Sequence, residues 1–263
     1  DDPHTAPDAV MCDLQTLSGL PEGPPTLAEL FQWPSWVAWK LQEVSPDAKA
    51  MFDRVRANAA SLICTSEFSG MGTAEVSLEL GLQGFQDQGV KLSRRGKCSL
   101  HAADKAPACV EMMKGLASPP VHIHDDINGR LSRTSFQALD AVEKWAAEQV
   151  LALNNDKANQ EALGNEILEK YLAVLSREHA FLTHGMCHQH PRKTCPLPHT
   201  SLKKLRMKHK KLLSMNVSGT ECYDVSSMGR QRGLTGQTAR TLALWIAQRR
   251  LALEAGAACR LFF

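Results

Sequence analysis

The sequence predicts an α/β fold built on a doubly wound, Rossmann-like parallel sheet, and three observations carry that prediction. Short apolar runs at 61–64, 97–103 and 121–127 alternate with helical periodicity, the spacing of strand–helix–strand units. A glycine turn, Phe68-Ser-Gly70-Met-Gly72, follows the first run, where such sheets bring a backbone close to a ligand. Acids close the next two runs, Asp104 after the second and Asp125 or Asp126 after the third.

Taken in order, residues 1–25 hold five prolines with scattered acids and read as a mobile or surface-hugging leader. Residues 26–45 carry Leu27, Leu30, Phe31, Trp33, Trp36, Val37, Trp39 and Leu41, enough apolar surface for a docked segment. The three tryptophans are expected to pack rather than to form a stacking platform. A helix is expected over 47–58, a strand at 61–64, and a helix over 73–81 that stops at Gly81. The second unit runs from the strand at 97–103 to a helix ending at Gly115. The third is the strand around 121–127. Residues 133–152 and 158–179 then read as long amphipathic helices, with Phe136, Leu139, Val142, Trp145, Val150 and Leu151 at helical spacing. Strand patterning resumes at 213–217, a helix follows over 236–255, and 259–263 starts another strand. The resulting division is 1–58 leader and docked segment, 59–131 cofactor-binding half, 132–212 helical, basic insertion, and 213–263 a second piece of the sheet domain.

Composition narrows the partners only a little. Thirty Lys and Arg stand against 28 Asp and Glu in 263 residues, a net charge of +2. No run approaches the 18 or so apolar residues of a membrane span. Eight irregularly spaced cysteines do not form a disulfide framework and point to a reducing compartment. The chain starts at Asp1 with no apolar signal segment, which suggests processing or a fragment.

The residues able to carry chemistry fall in order along the chain. The glycines of the 68–72 turn open a helix N-terminus whose amides are free for a ligand. Asp104 sits where nucleotide-binding folds grip ribose hydroxyls, and Asp125 or Asp126 where an adenine amine can be held. Each acid alone serves equally as a helix N-cap. Beyond the strand at 213–217, the segment 219–233 contains Gly219, Cys222, Asp224, Ser226, Gly229, Arg230, Arg232 and Gly233. A nucleophilic cysteine needs exposure and nearby positive charge, and Arg230 and Arg232 can supply that charge or hold phosphates.

This order resembles the DNA cytosine-5 methyltransferase family. Gly-x-x-Cys-x-Asp-x-Ser-x-x-Gly-x-x-x-Gly at 219–233 is similar to that family's nucleophile loop, and Phe68-Ser-Gly70-Met-Gly72 to its first motif. The resemblance covers about 60–135 and 213–263. It implies a methyltransferase-type sheet and S-adenosylmethionine held by Phe68, Gly70, Gly72, Asp104 and Asp126. It further implies a cytosine flipped from duplex DNA and attacked at carbon 6 by Cys222. A nuclear location would follow from that substrate. The sequence departs from the family pattern in three places. Glu221 stands where the family has Pro before the nucleophile, Tyr223 where Gln is common, and Asp104 where Glu is usual. A carboxylate beside the thiol disfavours the thiolate unless an arginine compensates. Nothing up to Phe263 matches the family's Glu-Asn-Val motif, so the expectation is the amino-terminal part of a longer or truncated enzyme. Two alternatives stay open: a degenerate domain that binds cofactor or nucleic acid without catalysis, and a methyltransferase for a non-DNA substrate.

The insertion holds a second candidate site. Six Cys or His lie within 184–199, and Cys187, His190, Cys195 and His199 could complete a zinc tetrahedron, against the plainer reading of a His-rich polar loop. Beyond them Lys203, Lys204, Arg206, Lys208, Lys210 and Lys211 interleave with Leu202, Leu205 and Leu212. They read as a solvated helix face, a nuclear import signal or a phosphate-contacting surface.

Overall fold

The computed structural model describes residues 32–44, 47–59, 62–91, 98–153, 157–208, 213–219, 224, 232–254 and 258–261. The proline-rich leader, Glu221, Cys222 and Arg230 lie outside the described residues, as do Lys210 and Lys211.

Two helices, α1 (Trp33–Val44) and α2 (Ala48–Ala59), precede strand β1 (Leu62–Glu67), helix α3 (Thr73–Asp87), β2 (Ser99–Ala103), α4 (Pro107–Lys114) and β3 (His122–His124). The insertion supplies α5 (Arg133–Ala152), α6 (Lys157–Leu175), β4 (His184–Met186), β5 (Thr194–Pro196) and α7 (Pro198–Lys208). The chain returns with β6 (Leu213–Ser218), α8 (Ala239–Glu254) and β7 (Ala258–Leu261). Five strands form one parallel sheet in the order β3-β2-β1-β6-β7, so the chain reverses its winding between β1 and β6. In open α/β sheets that reversal leaves a crevice at the carboxyl ends of the two central strands.

Strand alternation sends the two faces of this sheet to different partners. Leu62 and Cys64 of β1 join Met215 and Val217 of β6 against Leu78 and Leu82 of α3. Beside them Ala102 and Ile123 pack on Val110 and Met113 of α4. The other face carries Ile63, Thr65 and Glu67 of β1, with His101, His122, His124, Ser214 and Asn216 at matching register. That face is largely polar. Helix α8 covers it, Trp245 Nε1 donating to Asn216 Oδ1 at 3.0 Å and Asn216 Nδ2 to the Thr65 carbonyl at 2.9 Å.

Burying so much polarity requires it to be paired. Arg130, in the 3₁₀ turn Ile127–Arg130, donates to both oxygens of Glu67 at 2.9 and 2.7 Å and to Gln248 of α8 at 2.7 Å. Glu67 and Arg130 are 1% and 2% exposed, so the pair is fully desolvated. The insertion is part of the same core: Leu139 of α5 and Ile167, Tyr171, Val174 and Leu175 of α6 cluster with Ala243, Leu244 and Ala247 of α8. Arg240 ties α8 to α5 through Asp140 and Glu143 at 2.6 and 2.7 Å.

Three expectations change here. Helix α3 continues through Gly81 to Asp87, because Leu82 and Gly84 still face packed neighbours and glycine alone does not end a helix. The insertion is not wholly helical, since β4 and β5 pair as an antiparallel hairpin. Trp33, Trp36 and Trp39 do not pack as core residues; they are 37%, 56% and 46% exposed. Helix α1 docks through Pro34 and Ala38 instead, since it crosses α3 at Gly84 so closely that a Cβ there would overlap the Pro34 carbonyl. Among the described residues no helix is long and apolar enough to cross a membrane.

Candidate functional site

The crevice at the winding reversal is real and polar. A cavity of about 190 Å³ there is lined by Glu67 and Phe68 after β1, Ala103, Asp104 and Lys105 after β2, Asp125, Asp126 and Asn128 after β3, Gly219 after β6, and Thr241 of α8. Four sequence-predicted residues therefore stand together: Phe68, Asp104 and Asp126, with Gly219 three positions before Cys222. A second, shallower hollow of about 570 Å³ shares Glu67, Phe68 and Gly219 and extends over Ser69, Thr73, Ser77 and Leu78. Phe68 lines both.

The 68–72 turn holds an uncommon backbone that local contacts enforce. Phe68, Gly70 and Gly72 have φ of 54°, 56° and 84°. Left-handed φ is strained for phenylalanine and free for glycine. At Gly72 space is tight as well, since a Cβ would lie 2.8 Å from Leu116 Cδ1 and that side chain would have to shift. Ser69 fixes the turn to the end of β2, its amide donating to the Ala103 carbonyl at 2.9 Å and its Oγ accepting from the Ala103 amide at 3.2 Å. Asp104 completes the link: Oδ2 accepts from the Gly70 amide at 2.8 Å and Oδ1 from the Ala106 amide at 2.9 Å. Each oxygen keeps lone-pair capacity for a further donor. Asp126 caps the 3₁₀ turn after β3, Oδ1 accepting from the Asn128 amide at 2.8 Å. Asp126 thus serves as a cap and as a cavity wall at once, whereas Asp104 lines the cavity while tying the turns after β1 and β2 together, the N-cap of α4 being Ala106. Beneath the turn, the Ser66 hydroxyl bonds Glu75 in the first turn of α3, and burial pushes the Glu75 carboxyl above the usual carboxylate range.

Of the nucleophile segment, Asp224 is described and is fully buried. Its Oδ2 accepts from the amide and hydroxyl of Thr238, both at 2.9 Å, which anchors the segment to the start of α8. Gly233 donates to the Asp224 carbonyl at 2.7 Å, and a Cβ on Gly236 would collide with the Asp224 carboxyl. The loop carrying Cys222 is therefore held at one end by Gly219, whose amide donates to the Glu67 carbonyl at 3.2 Å, and at the other by Asp224. Arg232 is exposed at the start of the turn Gly233–Thr235.

The His/Cys group forms, with one different member. Cys187, His190 and Cys195 come together around the β4–β5 hairpin, and their fourth neighbour is His122 of edge strand β3. His199 does not join them. It lies on α7 near Phe181, Lys203 and Arg250, where burial and then the charges of Arg130 and Arg249 lower its pKa to about 4. The reason is the hairpin, which turns the chain after Cys195 into α7 and carries His199 past the cluster. Next to the cluster, His124 Nδ1 lies 2.7 Å from the Met186 carbonyl, so it is the donor there. Its Nε2 must then accept from His101 Nδ1 at 3.2 Å. Burial, followed by neighbouring charge, keeps both rings neutral at pH 7, with His124 at about 4 and His101 well below its ordinary value.

Packing decides where the basic helix stands. Leu202 and Leu205 of α7 pack on Ile63 at the start of β1 and on Ala252 near the end of α8. Lys203, Lys204, Arg206 and Lys208 therefore ride at the end of the sheet away from the cavity. Sequence reasoning missed Glu67, Arg130 and His122. For His122 a signal existed, since histidines alternate at 101, 122 and 124 on strands that otherwise read as apolar. The Glu67–Arg130 pair left none, because its members are 63 positions apart.

Comparisons of the chain with family models, with curated proteins and with solved structures give no match.

Proposed function

We propose that the chain carries an S-adenosylmethionine-dependent methyltransferase site for carbon 5 of cytosine in DNA. The observation that supports this reading is convergence: Phe68, Asp104 and Asp126, from three separate sequence segments, line one cavity with Gly219, three positions before Cys222 in the chain. Two adjoining hollows that share Phe68 suit a cofactor with a nucleoside end and an amino-acid end. Asp104 and Asp126 offer acceptors for ribose hydroxyls and an adenine amine, and Ser69 and Thr73, on either side of the Gly70–Gly72 turn, line the amino-acid side, whereas neither glycine lines either hollow. The bound cofactor would supply an electrophilic methyl group. Cys222 as thiolate would add to cytosine carbon 6, carbon 5 would take the methyl group, and loss of the carbon 5 proton with departure of the thiolate would restore the ring. A nuclear location follows only from that substrate.

The test has two arms. Isothermal titration with S-adenosylmethionine should show one site, weakened at least tenfold by Asp104→Ala. Incubation with duplex DNA containing 5-fluorocytosine should give a denaturation-resistant adduct that Cys222→Ser abolishes. Binding without adduct would favour the second reading, a cofactor-binding domain that does not methylate cytosine, and Glu221 beside the thiol is the residue that favours it. Glu221→Pro should then raise adduct yield if thiolate formation is what limits the reaction. No binding in the first arm overturns both readings.

A further inference from the structure

We propose that Cys187, His190, Cys195 and His122 form a structural zinc site that staples the insertion hairpin to the edge strand of the sheet. The inference does not depend on methyl transfer. All four donor atoms lie within 4.8 Å of one another. Zinc–sulfur and zinc–nitrogen bonds of about 2.3 and 2.0–2.1 Å at tetrahedral angles require sulfur–nitrogen edges of roughly 3.6 Å. The edges found are 3.4 Å for Cys187 Sγ to His190 Nδ1, 3.4 Å for Cys195 Sγ to His190 Nδ1, and 3.8 Å for Cys187 Sγ to His122 Nδ1. They straddle the tetrahedral value.

The chemistry of the set agrees with the spacing. Two thiols and two imidazoles are the donors of tetrahedral zinc, and no carboxylate is needed to complete it. Cys187 and Cys195 are 3% and 7% exposed and are free thiols, so the sulfurs are shielded from solvent. The hairpin between them is tightly turned, the His190 amide donating to the Cys187 carbonyl at 3.2 Å and the Lys193 amide to the His190 carbonyl at 3.1 Å. These turns hold the three insertion donors on one side, facing β3. His122 reaches them from β3, the outermost strand of the sheet among the described residues.

The staple has a mechanical consequence. Cys187 is followed by His188, whose amide donates to the Ile123 carbonyl at 2.8 Å and whose ring bonds Asp125. Asp125 lines the cavity. A metal at Cys187 thus fixes one wall of the cavity through a single intervening residue.

The full chain purified with zinc should carry one zinc per molecule by elemental analysis. Replacing zinc with cobalt(II) should give tetrahedral d–d bands and the charge-transfer absorption of two thiolates. His122→Gln and Cys195→Ser should each weaken zinc binding by more than about 100-fold, beyond what loss of a supporting residue costs. His199→Gln should leave stoichiometry unchanged, which separates this set from one completed by the α7 histidine. The cobalt spectrum needs no variant, so it decides even where a variant misfolds. No metal in the zinc-supplemented chain, octahedral cobalt bands, or a Cys187–Cys195 disulfide that forms under reducing conditions would each overturn the proposal.

Discussion

At the scale of single residues, burial decides what each group can do. His199 illustrates it: the ring is held neutral by burial, with Arg130 and Arg249 adding to the effect, and its pKa falls to about 4. In the unfolded chain the same ring titrates near 6.5, so between roughly pH 6.5 and 4 the unfolded state binds more protons. Stability from this group is complete above pH 6.5 and is lost as pH falls toward 4. After discounting for the part of the ring that reaches solvent, the loss is roughly 2 kcal/mol. Urea midpoints across that range should fall less steeply for His199→Gln than for the parent, and parallel curves would show that the ring is not shielded. Gly72 is a second such residue. Alanine there meets both a φ of 84° and Leu116, so Gly72→Ala should cost about 1–3 kcal/mol in a denaturant melt.

Elements are positioned by a few close approaches rather than by propensity. Helix α1 lies on α3 because Gly84 leaves room for the Pro34 carbonyl, and three tryptophans on the same helix stay outside. Gly84→Ala should therefore release α1, seen as faster hydrogen exchange in 33–44 with β1 unaffected. Helix α8 begins where it does because Asp224 accepts from the Thr238 amide and hydroxyl. Asp224→Ala should cost about 1–2 kcal/mol, the usual worth of such a cap. Because Asp224 sits two residues from Cys222, the same change should lower adduct yield with 5-fluorocytosine DNA by more than the stability loss explains. Equal yields in the two proteins would mean that the cap does not position the loop.

For the molecule as a whole, the polar face of the sheet is the feature that joins sheet, insertion and site. Glu67 of β1 meets Arg130 after β3, and Arg130 meets Gln248 of α8, so three segments close over one buried charge pair. Removing one partner leaves a desolvated charge, so Glu67→Gln or Arg130→Met should each destabilise by about 3–5 kcal/mol. The double variant Glu67→Gln with Arg130→Met should recover part of that loss, because neither member is left without the other, while Arg249, 3.8 Å from Glu67, still loses one carboxylate contact. Thermal melts of the three proteins check this directly. Additive losses would show that the pair is not coupled.

Local pattern was enough to lay out the sheet. The strand at 61–64, the units ending at Gly115 and near Ile127, the helix over 133–152 and the return at 213–217 were legible because alternation of apolar runs with helical periodicity is a property of neighbouring residues. The acids Asp104 and Asp126 and the turn at 68–72 were legible for the same reason, each lying at the end of a readable strand. What local pattern could not supply was distance across the fold. It offered His199 as the fourth member of the Cys/His group, while the register of β3 brings in His122 from 65 positions before Cys187. It left the lysines of 203–208 as a solvated face, an import signal or a phosphate-contacting surface, whereas packing of Leu202 and Leu205 against Ile63 and Ala252 sets their helix at the start of β1, the end of the sheet away from the cavity. Sequence by itself determined the strands of the main sheet, the turn at 68–72 and three of the four candidate metal donors, since those follow from chemistry within a few positions. Only tertiary structure decided which donors share a site, because strand order and helix docking, set by burial over the whole core, fix which distant side chains meet.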